Sequence, residues 1–113
     1  MDKVEQYRAV IQDLLQEHNR YLPDNRNTDV ENELCFDTER NRYQLMRVGW
    51  QELKRVYYTV MHFDIKDGKV WIQQNMTDVD VGRELVDRGI PKEDIILGLQ
   101  PPYKRPYTGY AVA

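Results

Sequence analysis

The sequence contains no serine at all, a single cysteine (Cys35) and two histidines (His18 and His62) that lie far apart. Serine-based nucleophilic catalysis is excluded outright. One cysteine cannot form an internal disulfide, so nothing points to a secreted, disulfide-stapled domain. One cysteine and two scattered histidines also offer no zinc-ligand spacing. The six glycines, at 49, 68, 82, 89, 98 and 109, form neither a GxGxxG fingerprint nor a P-loop. Net charge is −3, whereas a general nucleic-acid coat would be basic. No window approaches the roughly 18 apolar residues of a membrane span, and MDKVEQYRAV has no signal-peptide core. The expectation is a cytoplasmic protein that takes no part in a membrane.

What is present fits one globular domain over residues 1–113, with 41% hydrophobic and 31% charged residues. The N-terminal segment reads as a helix. Asp2 and Glu5 have capping-box spacing, and Val4, Tyr7, Ile11, Leu14, His18 and Tyr21 recur in steps of three and four. Val10 and Leu15 widen that stripe, and Pro23 ends it ahead of a polar loop, 24–29. Alternation then predicts strands over 30–37, 42–48 and 55–65, with a turn beginning at Gly49 and Trp50. Asp67-Gly68 fits a two-residue type I′ hairpin. Pairing outward from it sets Ile65 opposite Val70, Phe63 opposite Ile72, Asp64 opposite Trp71 and His62 opposite Gln73. A second helix is expected over 80–89, capped by Thr77 or Asp78 and stopped by Gly89, then one helical turn at 91–94 and a short apolar run at 95–99. The fold class is α+β: a helix, an antiparallel meander of about four strands, a second helix and an extended Pro/Tyr-rich tail. Helices cover one sheet face. The other carries Glu31, Glu33, Cys35, His62, Asp64 and Trp71, and such a face suits a partner or a second copy, so a homodimer or higher homo-oligomer is expected.

Few residue sets could carry chemistry. Cys35 and His62 share that outer face, but Glu31, Glu33 and Asp37 around Cys35 disfavour a thiolate. Glu31, Glu33, Asp37, Glu39 and Asp64 supply oxygens that would suit Mg²⁺. A simpler reading is charge pairing. Residues 24–39 are acidic, residues 40–58 are basic, and adjacent antiparallel strands of opposite charge form cross-strand ion pairs. No catalytic, cofactor or metal residue is assigned. The basic set Arg40, Arg42, Arg47, Lys54 and Arg55 is the candidate DNA-contacting surface.

The last sixteen residues, GLQPPYKRPYTGYAVA, hold three prolines, three tyrosines, a lysine and an arginine, with no acid. Proline lowers the entropy cost of ordering such a segment, and tyrosine favours interfaces. It is ready to dock on its own domain, on a partner or on nucleic acid. Trp71, Tyr103, Lys104, Arg105, Tyr107 and Tyr110 are therefore the candidate partner-binding residues.

Taken in order, MDKVEQYRAVIQDLL, FDTERNRYQLMRVGW, HFDIKDGKVWIQ, ELVDRGIPKEDIILG and PPYKRPYT resemble the XisI family, the fdxN element excision controlling factors of cyanobacteria. The resemblance covers essentially the whole chain. It runs through Asp37, Thr38, Glu39, Arg40, Tyr43, Gly49, Trp50, Asp64, Asp67, Gly68, Trp71 and the Pro101–Arg105 stretch. Met76 stands where the family pattern has a glycine. The resemblance implies an accessory role beside a site-specific recombinase that excises a DNA element during heterocyst development, and a companion protein, XisH, often encoded alongside and resembling endonuclease-fold proteins. It implies no catalytic residue. The leading expectation is a non-enzymatic factor that binds an XisH-like protein and meets DNA only through partners. The alternatives are a direct DNA-binding factor and a Mg²⁺-dependent nuclease.

Overall fold

The computed structural model describes residues 2–22 and 29–113. Apart from Asp29, the polar loop read at 24–29 lies outside them, as does Pro23. Helix α1 spans Lys3–Tyr21 and starts as its cap requires, with the Asp2 carboxylate accepting the Glu5 N–H at 2.9 Å. Its stripe buries Tyr7, Ile11, Leu14 and Leu15, while Tyr21, on the last turn, is exposed. Each Leu or Ile taken wholly out of water stabilises the fold by roughly 2 kcal/mol. No described helix is long and apolar enough to cross a membrane.

The sheet has five strands in the order β1-β2-β3-β4-β5: Asp29–Asp37, Arg42–Gln51, Lys54–Lys66, Lys69–Asn75 and Ile95–Ile96. The first three pairings are antiparallel and the last is parallel, so the sheet is mixed and the expected four-strand meander gains a fifth, parallel edge strand. Helix α2, Val81–Asp87, supplies the crossover between β4 and β5. Its N-cap is Asp80, whose carboxylate accepts the Arg83 N–H at 3.1 Å. Thr77, one of the two expected caps, instead donates its hydroxyl and its N–H to the Asn75 side chain and helps form the preceding turn. Gly89 ends α2 at φ 103°, with Ile90 N–H reaching the Leu85 carbonyl and Gly89 N–H the Val86 carbonyl. Residues Lys92–Asp94 form the expected single turn, of 3₁₀ type.

The register follows the sequence through Ile65–Val70, Asp64–Trp71 and Phe63–Ile72, then shifts at a bulge, so that His62 faces Gln74 rather than Gln73. Gly49 and Trp50 do not turn. β2 continues to Gln51, and the chain reverses at Glu52 and Leu53, with Glu52 at φ 57°. Glycine is required at 49 by crowding: φ is 150°, and a Cβ there would stand 1.9 Å from the Asp29 carbonyl oxygen on β1.

One sheet face buries Tyr43, Leu45, Met61, Phe63, Ile65, Val70 and Ile72 beneath α1 and α2. Polar contacts fix the helices over that core. Arg8 Nε donates to the Tyr43 hydroxyl at 3.0 Å, His18 Nε2 meets Glu84 Oε2 at 2.8 Å, and Arg88 pairs with Glu17. At the other end of α1, Lys3 pairs with Asp94 at 3.0 Å, and the Tyr7 hydroxyl donates to the same carboxylate.

Candidate partner-binding site

The outer sheet face divides in two. Toward β4 and β5 it is covered by the C-terminal segment. That segment is not extended throughout: Pro102–Tyr107 winds into a 3₁₀ helix, as proline at its first position permits. It is tied down by backbone at both ends, where Leu99 N–H reaches the Ile72 carbonyl at 3.0 Å and Ala111 N–H the Ile95 carbonyl at 2.9 Å. Trp71 is the side-chain anchor. The Arg105 guanidinium lies 5.2 Å from its ring centroid and the Lys66 ammonium 4.3 Å. Arg105 is also held by the Gln100 carbonyl at 3.1 Å. Directly opposite Trp71 on β3, the buried Asp64 carboxylate meets His62 Nε2 at 2.8 Å, accepts from Gln73 Nε2 at 3.1 Å and pairs with Arg42 at 3.5 Å. Tyr110 packs over Gly82, where an added Cβ would approach its hydroxyl to 2.8 Å. Burial, followed by the Asp80 charge, raises the Tyr110 hydroxyl above its ordinary range.

The six residues singled out in the sequence thus separate into two roles. Trp71, Arg105 and Tyr110 are half-buried and hold the segment to the domain. Tyr103, 72% exposed, and Tyr107, 89% exposed, point to solvent with Lys104 between them. Two large rings are thus left open to solvent on a turn whose flanks are tied to the sheet by backbone hydrogen bonds.

The five basic residues divide between the two ends of the sheet: Arg47, Lys54 and Arg55 line one pocket with Tyr57 and Tyr58, while Arg40 and Arg42 lie at the far end. Arg40 closes the β1–β2 turn against Asp37 at 3.1 Å. The Arg40 backbone N–H and side chain together hold the Asp37 carboxyl below its usual range. Arg42 is engaged by Asp64 and by the Arg40 carbonyl. Arg47 lies on the helix-covered side of the sheet and donates to Asn32 at 3.0 Å. Lys54 and Arg55 stand at the opposite end of β2 and β3, about 30 Å from Arg42 by strand rise. The expected cross-strand ion pairs are likewise largely replaced. Glu31 and Glu33 stand opposite Val48 and Met46, not opposite bases. Among the described residues, no three His, Cys, Asp or Glu side chains gather as a metal-holding group.

The second part of the outer face, over β1–β3, is uncovered. There Arg55 lies between two rings, 5.5 Å from Trp50 and 5.7 Å from Tyr57. None of Trp50, Tyr57 and Leu53 is among the site residues expected from the sequence. The alternation of β2 through Trp50 would have indicated its face, but a turn was read there instead.

A family model described as XisI protein matches residues 1–112. Among solved structures, an XisI-like protein from Anabaena variabilis ATCC 29413 is 53% identical, with a TM-score of 0.90 over 99% of this chain and all of that one. The fdxN element excision controlling factor XisI from the same organism is 34% identical, with a TM-score of 0.87 and the same coverage. A search of curated proteins gave no match. By sequence over nearly its full length and by fold, this chain belongs to the XisI family.

Proposed function

We propose that this chain is a cytoplasmic, non-catalytic accessory factor that controls excision of a DNA element by binding a partner protein, an XisH-like companion. The family supports the general role, since one relative bears the name of an excision controlling factor. The observation that carries partner binding is the tethered 3₁₀ turn that presents Tyr103, Lys104 and Tyr107 to solvent while Trp71 and Arg105 hold its underside. Exposed tyrosines on a pre-ordered segment bind with little further loss of entropy, and rings of this kind dominate the energetics of protein interfaces. DNA is reached through the companion, because Arg40 and Arg42 already hold carboxylates and lie a strand's length from Lys54 and Arg55, which leaves only three basic residues in one place.

Co-expression with the XisH-like companion, followed by size exclusion, tests this reading. The two chains are expected to elute together at micromolar concentration. Separate elution defeats it. A mobility-shift series of the isolated chain against salt supplies the contrast: a shift at low salt that weakens steeply as salt rises would favour direct phosphate contact instead.

A further inference from the structure

Several arginines are neutralised by a carboxylate: Arg40 by Asp37, Arg42 by Asp64, Arg83 by Asp87 and Arg88 by Glu17. Arg47, Lys54 and Arg55 are not. Arg47 donates to the neutral Asn32 amide oxygen and Arg55 to the Gly49 carbonyl at 3.2 Å. Lys54 is exposed and holds no carboxylate among the described residues. All three line one cavity of about 370 Å³ at the Glu52–Leu53 end of β2 and β3, and among the described residues no Asp or Glu lines it. Strand alternation explains this. Glu31 and Glu33 stand opposite Val48 and Met46 on the outer face, whereas Arg47 with Tyr58, and Gln51 with Lys54, form cross-strand pairs on the other face. Arg55 borders the cavity from the outer face. We infer that this cavity binds a small phosphorylated ligand, a nucleoside 5′-phosphate.

Charge and shape select the ligand. Two guanidiniums and an ammonium without a counter-ion match a phosphate dianion, which accepts several charge-assisted hydrogen bonds at once. A carboxylate, with one charge, would leave much of that field uncompensated. The Arg47–Tyr58 and Gln51–Lys54 pairs stand about 13 Å apart along the strands, and Val56 lies between them as an apolar floor. A phosphate alone does not fill that length. The Tyr58 ring, 39% exposed beside Arg47, offers its face to a planar base. The volume falls at the lower end of the range for small-molecule sites, roughly 300–1,000 Å³. Duplex DNA is the poorer match, because three cations give a salt slope of only about −3, against roughly 6–10 phosphate contacts in a committed binder. The cavity lies at the opposite end of the sheet from Trp71, which is level with Asp64 and Arg42. The inference therefore stands or falls independently of the companion's binding.

Amide chemical-shift mapping of the full chain tests it, with AMP, GMP, CMP and UMP titrated in turn. At least one nucleotide is expected to bind with a Kd below about 1 mM and to move the signals of residues 47–58. Its nucleoside, which lacks the phosphate, is expected to bind at least about tenfold more weakly. Arg47→Gln, which keeps a donor for Asn32, and Lys54→Gln are each expected to weaken nucleotide binding at least about fivefold. Lys54 is exposed, so its variant should melt with wild type. Arg40→Gln, at the far end of the sheet, should bind as wild type does. Four results would each overturn the inference: no signal moved by any of the four nucleotides, a nucleoside that binds as tightly as its nucleotide, undiminished binding by Lys54→Gln, or a duplex oligonucleotide that displaces the nucleotide at physiological salt.

Discussion

The Tyr7 hydroxyl on α1 donates to the Asp94 carboxylate on the 3₁₀ turn that leads into β5, joining two elements that are remote in sequence. Burial, then the carboxylate itself, pushes the Tyr7 hydroxyl up to about 12 from 10.0. Burial opposes the Asp94 charge, but Tyr7 and Lys3 outweigh it and hold that carboxyl below its ordinary 3.8. The stability that Tyr7 contributes is fully present below pH 10 and is lost as pH rises from there toward 12. The stability that Asp94 contributes is present above its unfolded value near 3.8 and is lost as pH falls through its lower folded value. Tyr7→Phe is expected to cost about 1–2 kcal/mol at neutral pH. Stability of wild type and variant, measured by denaturant titration across pH 8–12, should converge at the alkaline end. Parallel curves would mean that the bond contributes nothing specific.

Gly49 tests the packing of the β1 edge. A methyl group there meets the Asp29 carbonyl oxygen, and backbone cannot yield as a flexible side chain does. Gly49→Ala is expected to destabilise the fold by about 2–3 kcal/mol, from overpacking and from the positive φ together. Thermal unfolding measures this. A change within about 0.5 kcal/mol, the range of an ordinary surface substitution, would contradict the strand geometry.

Arg88 joins α2 to Glu17 on α1. Its hydrogen bond and then its charge hold the Glu17 carboxyl below the usual glutamate range. In Arg88→Ala the Glu17 titration, followed by carbon chemical shift, is expected to move upward toward the ordinary value. An unmoved titration would show that the pair does not persist in solution.

Trp71 anchors the C-terminal segment. In Trp71→Ala, Arg105 loses its ring. The Leu99 and Ala111 amides, bonded to the Ile72 and Ile95 carbonyls, are expected to exchange faster with solvent, while amides of β2 and β3 keep their protection. Uniform protection in both proteins would mean that the backbone bonds alone hold the segment.

How much of this was legible in the sequence depends on whether the signal was local. The Asp67-Gly68 turn, the Asp2–Glu5 cap and the stripe from Tyr7 to Leu15 are carried by neighbouring residues, and each appears where the spacing sets it. The bulge beyond Phe63 is invisible locally, because an extra residue on one strand is decided by how its partner packs. Gly49 misleads for a related reason: its glycine answers to crowding by β1, whereas the true turn at Glu52 and Leu53 carries neither glycine nor proline. The parallel direction of β5 follows from the α2 crossover rather than from Ile95 and Ile96. In the candidate site, Trp71 and the tyrosines were legible as residue types. Which of them anchor and which face solvent was not, because that division depends on Arg105 folding back over Trp71.

The central claim is that the Tyr103–Tyr107 turn captures a partner protein. Titration calorimetry of the XisH-like companion into wild-type protein and into a Tyr103→Ala, Tyr107→Ala double variant tests it most directly. Both side chains lie outside the core, so the variant should melt with wild type. Saturable micromolar or tighter binding by wild type, weakened at least about a hundredfold in the variant, is the expected result. Equal binding by the two proteins, or no heat with either, would contradict it.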